Sequence, residues 1–217
     1  DGSNILVDTS ASELKLEEMV KIPIVLESRR QWEQVVADGI MKREELEKRA
    51  KKLKGEYIRP IALLQAQPQS NVRATITVEQ LKQFLLDKEI PEEQIKIKIS
   101  GKDELEGIDL FSKKCEVRYI LTVNALAEGW DCSFAYVLIS VANLGARVAV
   151  EQIIGRVLRM PNARRKDDEA MNRSYVFTSS EDFNEAAGKV IKGLTDNGYS
   201  KSDFISVADE KDYSDPL

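Results

Sequence analysis

The sequence predicts an α/β fold: a mostly parallel central sheet with helices on both faces. Three observations carry this. From Glu56 onward, short apolar runs alternate with amphipathic stretches, and strands alternating with helices are the mark of parallel sheets. Both periods stand side by side: Ile95-Lys96-Ile97-Lys98-Ile99 alternates every second residue, while the stretch after Thr77 repeats at helical spacing. At 217 residues and 42% hydrophobic, the chain has the apolar material for one large packed domain.

Residues 1–26 mix short apolar stretches with polar turns, and Pro23 points to an edge strand or connector over Lys21–Leu26. Residues 27–54 predict a long helix, with Trp32, Val35, Val36, Ile40, Leu46, Ala50 and Leu53 on its apolar stripe and Gly55 as its stop. Residues 1–55 are therefore expected to be a connector with one helix. Tyr57–Gln65 predicts a buried strand with Pro60 early in it. Thr77-Val78-Glu79-Gln80 is a capping box, in which the Thr77 hydroxyl takes a free amide and Gln80 reaches back. It opens a helix through Leu86. Further strands are expected at Ile95–Ile99, Val117–Thr122, Phe134–Val141 and Ser174–Thr178. Helices are expected at Val148–Met160, ended by Pro161, and at Glu181–Asp196, closed by Gly198. The main domain spans 56–206, and 207–217 form an acidic tail.

Ligands of such sheets bind at the carboxyl ends of the strands. That directs attention to Gln65–Gln67, Ser100–Lys102, Thr122–Asp131 and the loop before Val148. Charge is segregated along the chain. Its net charge is −5, yet residues 140–166 hold six basic side chains against one acidic, a cationic island that suits a local anion site or a solvated helix face. There is no histidine, which excludes Ser-His-Asp and Cys-His nucleophile systems and His-ligated metals. The two cysteines, Cys115 and Cys132, are too few for a structural zinc site and are expected to be reduced, in a cytoplasmic protein. No apolar run approaches the roughly 20 residues needed to cross a bilayer.

Two segments carry chemistry. In Glu151–Pro161, Gln152, Arg156 and Arg159 fall at i, i+4 and i+7 on one face of a helix. Ile153, Ile154, Val157 and Leu158 fill the other. Gly155 lies mid-helix, where it costs about 1 kcal/mol relative to Ala, tolerable where something approaches the backbone closely. Two guanidiniums and an amide on a rigid face form a clamp for a terminal phosphate; an ordinary amphipathic helix with solvated arginines has the same spacing. In Leu121–Cys132 a strand runs into a Gly129-Trp130-Asp131 corner, where Gly129 can take a positive φ and Asp131 can accept hydrogen bonds from a sugar hydroxyl or an arginine.

Together the two segments resemble the second RecA-like domain of superfamily 2 helicases and translocases. Ala125–Cys132 looks like motif V, and Gln152–Arg159 matches the Gln-x-x-Gly-Arg-x-x-Arg form of motif VI. The string from Asn124 to Pro161 looks like the helicase subunit of type III restriction enzymes. The resemblance covers roughly residues 56–206. It implies a RecA-like three-layer domain in which Arg156 and Arg159 are arginine fingers toward the γ-phosphate of ATP, with Gln152 coupling the nucleotide to the cleft. It also implies that Glu128, Gly129, Asp131 and Gly155 border the nucleotide. Thr122, Val123 and Asn124 would lie near the nucleic-acid backbone, Val123 standing where the family has a phosphate-donating threonine. Gln65, Ser100, Gly101 and Lys102 end strands where further backbone contacts are made.

No Gly-x-x-x-x-Gly-Lys-[Ser/Thr] loop occurs in these 217 residues, and Asp103-Glu104 does not follow an apolar strand directly, as a magnesium-binding pair would. The resemblance therefore implies that ATP and Mg2+ are held mainly by a first RecA-like domain of the same polypeptide. The chain alone would be inactive, with DNA as the track and a methyltransferase subunit as a further partner. A RecA-like scaffold module is the competing reading. A small-molecule enzyme on the same sheet is disfavoured by the lack of histidine and of Gly-x-Gly-x-x-Gly.

Overall fold

The computed structural model describes residues 20–69, 74–123, 132–141, 159–179 and 199–207, with Gly188, Ile191, Lys192 and Thr195. Its elements in chain order are β1 (Ile24–Arg29), α1 (Trp32–Ala50), β2 (Ile61–Gln65), α2 (Val78–Asp87), β3 (Ile95–Ile99), β4 (Lys102–Asp103), β5 (Tyr119–Thr122), β6 (Ala135–Ser140), β7 (Ser174–Ser179) and β8 (Phe204–Val207). They form one sheet in the order β4-β3-β5-β2-β6-β7-β1-β8. Every neighbouring pair is parallel except β3 and β4. This is the α/β class with a mostly parallel sheet that the alternation predicts.

Burial follows from position in the sheet. All residues of β2, β5 and β6 are buried, as parallel strands covered on both faces must be. β3 lies near the edge and keeps its alternation, with Ile95 and Ile97 buried and the intervening lysines only half-covered. The capping box forms as predicted: Gln80 N–H donates to Thr77 Oγ1 at 3.3 Å, and Thr77 N–H donates to Gln80 Oε1 at 2.9 Å. On one face of the sheet α1 packs against β6 and β7, and Trp32 of α1 meets Phe84 of α2 edge to face at 5.2 Å.

The expected N-terminal connector is corrected. Residues 24–50 belong to the sheet domain, because β1 lies between β7 and β8 and pairs with both. Pro23 precedes the first paired residue, so its missing N–H takes nothing from the ladder. The expected helix 27–54 shortens to Trp32–Ala50, and β8 adds a strand up to Val207, where the acidic tail was placed. Of the expected helix Val148–Met160, positions up to 158 lie outside the described residues, and its expected end is corrected: Arg159 forms a β-bridge with Val20 and Met160 is extended. Of the helix Glu181–Asp196, the described positions Gly188, Ile191, Lys192 and Thr195 are helical. No described helix is long and apolar enough to cross a membrane.

Two contacts fix α1 on the sheet. Gly39 faces β6 so closely that a Cβ there would stand 2.5 Å from Ile139 Cγ1. Gly39→Leu is therefore expected to destabilise the fold by about 1–3 kcal/mol through overpacking, while exposed Met41→Ala changes stability by less than about 0.5 kcal/mol; urea denaturation of the two variants checks this.

Further along the helix, Glu47 bridges Arg43 at 2.5 Å and Arg118 at 3.0 Å, and Arg43 Nε donates to Tyr119 Oη at 3.0 Å. Burial opposes the Glu47 charge, but hydrogen bonds from Arg118 and Arg43 outweigh it and hold the carboxyl at about 2. A depressed carboxylate stabilises the folded state above its ordinary pKa, and that contribution disappears as pH falls through the folded value. Stability should therefore fall between about pH 4.5 and 2, and Glu47→Gln should flatten that limb in acid titrations followed by circular dichroism.

Candidate functional site at the carboxyl rim

Five neighbouring strands carry a polar residue at, or one position before, their carboxyl ends. Thr122 of β5 pairs with Gln65 of β2, Gln65 with Ser140 of β6, Ser140 with Thr178 of β7, and Thr178 with Ser28 of β1. At about 4.8 Å per strand this in-register row runs about 19 Å across the sheet. All five are buried. Partners in parallel register point to the same face, and side chains alternate along each strand. Ile139 and Phe177, each one residue earlier, meet α1 at Gly39, so the row lies on the opposite face.

The row is tied together. Ser140 Oγ donates to Gln65 Oε1 at 2.9 Å, and Ser28 Oγ donates to the Thr178 carbonyl at 3.1 Å. Just beyond it, Ala66 N–H donates to the Thr122 carbonyl and Val141 N–H to the Gln65 carbonyl. Gln67 clasps the loop above: its Nε2 donates to the Val141 carbonyl at 2.9 Å and its Oε1 accepts from Ile76 N–H at 2.9 Å. The chain leaves β2 toward β3 but leaves neighbouring β6 toward β7, so the rim around Gln65 is a topological switch point, where ligands of open α/β sheets bind.

The structure places the predicted residues unevenly. Gln65 and Thr122 lie side by side in the row with 4% and 3% exposure, and Val123 follows half-buried. Ser100 and Gly101 form the turn after β3 on the same rim, Gly101 at φ 79°, and exposed Lys102 pairs with Glu104 at 3.0 Å. Asn124, Glu128, Gly129, Asp131, Gln152, Gly155 and Arg156 lie outside the described residues. Arg159 lies elsewhere: its backbone forms an antiparallel bridge with Val20, four residues before β1, at the amino end of the sheet. Its side chain is exposed. Ser140, Thr178 and Ser28 add to the predicted set: Ser140 and Thr178 are the polar residues that break the apolar runs of β6 and β7, whereas Ser28 follows Glu27 and carries no such signal.

The remaining chemistry is narrow. Asp103 pairs with Lys98 and accepts from Leu105 N–H, and Glu104 Oε2 accepts from Ile97 N–H at 2.8 Å, so hairpin contacts occupy the Asp-Glu pair. Among the described residues no three His, Cys, Asp or Glu side chains gather as a metal site would need. Burial pushes the Cys132 thiol up to about 11, which keeps it protonated and unreactive. Both cysteines are free.

No family model matches the chain, and no curated protein matches it. Among solved structures, the C-terminal domain of S. cerevisiae Dbp5 bound to Gle1 and IP6 aligns with a TM-score of 0.48 at 14% identity, over 86% of this chain and 90% of that one. An ATP-dependent Type ISP restriction-modification enzyme, LlaBIII, bound to DNA, aligns with a TM-score of 0.48 at 12% identity, over 94% of this chain and 16% of that one.

Gln65→Leu removes the acceptor of Ser140 Oγ. It is expected to cost about 1–3 kcal/mol. Gln65→Leu combined with Ser140→Ala should cost less than the sum of the single changes, by about 0.5 kcal/mol or more; a double-mutant cycle in urea measures the difference.

Proposed function

We propose that this chain is the C-terminal RecA-like motor half of an ATP-dependent superfamily 2 DNA helicase or translocase, similar to the helicase subunit of type III restriction enzymes. One observation carries the reading. The motif V-like segment begins directly after β5 and the motif VI-like segment lies in the crossover that leaves β6, and these two strands flank β2 on either side. The connections that carry the two segments therefore leave the same rim, about 10 Å apart, at the switch point.

Arg156 is the primary finger in this reading. The crossover leaves β6 at Ser140 on the carboxyl rim and has reached the amino end of the sheet by Arg159. Gln152 and Arg156 come earlier on that path, whereas Arg159 stands at the far edge and is the weaker candidate. Arg156 would stabilise charge developing on the transferred phosphoryl oxygens, with Gln152 orienting it and Gly129 and Asp131 bordering the sugar. Glu128 and Gly155 would line the same cleft. The phosphates and Mg2+ would be held mainly by a first RecA-like domain, whose nucleotide supplies the energy for movement. Gln65 and Thr122 support the nucleic-acid track from beneath, because both are buried, and the turn at Ser100–Lys102 offers the exposed part of it. DNA, that first domain and a methyltransferase subunit are the proposed partners.

In a protein carrying both motor domains, Arg156→Ala should lower DNA-stimulated ATP hydrolysis by roughly a thousandfold while ATP binding stays within a few-fold. Unchanged turnover would overturn the assignment.

A further inference from the structure

The opposite edge of the sheet carries a different feature. Tyr57 precedes β2, Phe134 precedes β6, Phe111 and Lys113 lie in the loop before β5, and Asn162 lies between Arg159 and β7. Because the strands are parallel, all of these gather at their amino ends. With Ser133 they line an open cleft of about 430 Å³. Its wall is aromatic: Phe111 meets Phe134 edge to face at 4.9 Å, and Tyr57 meets Phe134 at 6.1 Å. Phe111 is 47% exposed, unusual for a large apolar side chain that a core could have taken.

Tyr57 Oη accepts from Arg59 Nη1 at 2.9 Å and the Ser133 carbonyl from Lys21 at 3.0 Å, which leaves Lys113 and Asn162 as the polar side chains of the cleft for a ligand. Lys113 holds its ammonium 5.9 Å above the Tyr57 ring and pairs with no carboxylate among the described residues. Lys54 and Arg164, three and two residues from Tyr57 and Asn162, are exposed cations as well. Asn162 presents an exposed amide from a left-handed backbone at φ 57°, and Ala163 follows at φ 45°. Alanine rarely occupies that region, and such strain persists where the surroundings hold it and clusters at ligand sites.

We propose that this cleft takes one unpaired base of a single-stranded nucleic acid, on the edge of the sheet remote from the carboxyl rim. The chemistry matches unit by unit. An exposed aromatic face stacks a base of any identity, an amide meets a base edge with both a donor and an acceptor, and an unpaired ammonium meets the adjoining phosphate. A duplex buries its base faces and cannot use the slot. An acidic peptide would use the cations but would leave the aromatic wall and the amide without a role.

Fluorescence anisotropy with a labelled 12-nucleotide oligo(dT) tests this on the intact protein. Phe111→Ala should weaken binding by about tenfold, and it touches an exposed side chain whose loss leaves the fold intact by circular dichroism. Lys113→Ala should lower the salt dependence by about one unit of slope. Lys102→Ala, on the other rim, should leave the Phe111 effect unchanged, and blunt duplex of equal length should show no Phe111 effect. Unchanged oligo(dT) affinity in Phe111→Ala would overturn the proposal. So would an equal Phe111 effect on duplex, or displacement of the oligonucleotide by polyglutamate at equal charge concentration. None of these outcomes bears on the role of Arg156.

Discussion

A parallel sheet covered on both faces cannot rely on water to satisfy the polar groups where its strands begin and end. This constraint organises the molecule. At the carboxyl ends it is met by hydroxyls and one amide, the row from Thr122 through Gln65, Ser140 and Thr178 to Ser28. At the amino ends it is met by buried cations. Lys21 donates to the carbonyls of Ser133 and Ala135 at 3.0 and 2.6 Å. Arg59 donates to those of Val117, Ser112 and Leu110. Lys166 donates to that of Pro161 and pairs with Glu56 at 2.6 Å. A long cationic side chain can reach several carbonyls while its stem packs among apolar neighbours.

The two solutions differ in what they leave open. Cations that donate into backbone carbonyls lock the segments entering β2, β5 and β6 against one another. Loss of one partner would leave buried groups unsatisfied, so that edge is rigid, and a cleft walled by Tyr57 and Phe134 inherits the rigidity. The carboxyl rim is held by weaker neutral bonds, and the segments leaving β5 and β6 start from it. A neutral tier under those segments adds no fixed charge beneath a site proposed for a polyanion and a triphosphate. A buried lysine row there would compete with arginine fingers for the same phosphates.

How much of this was legible in the sequence depends on the range of each interaction. The capping box, β3 and the interior strands were readable because they rest on local spacing and on apolar runs. β1 departs from the expected edge strand or connector over Lys21–Leu26 because Pro23 falls one residue before pairing begins and so does not limit the strand to an edge. β8 is only four residues long and owes its existence to pairing with β1, 180 residues earlier in register. The buried cations were not readable. Nothing near Lys21 in the chain announces acceptors 112 and 114 residues away, and composition alone would place Lys21 and Arg59 at the surface.

The candidate site divides along the same line. Spacing put Gln152, Arg156 and Arg159 on one helical face, and that argument is local. It does not say where the face stands relative to the sheet, which the crossover decides. A right-handed return from Ser140 to the start of β7 must traverse the height of the sheet, and the bridge between Val20 and Arg159 marks its arrival at the far edge. In the proposed motor reading the two arginines of the stripe therefore divide: Arg156, earlier on the path, is left as the proposed finger, while Arg159 stands at the amino end beside Val20.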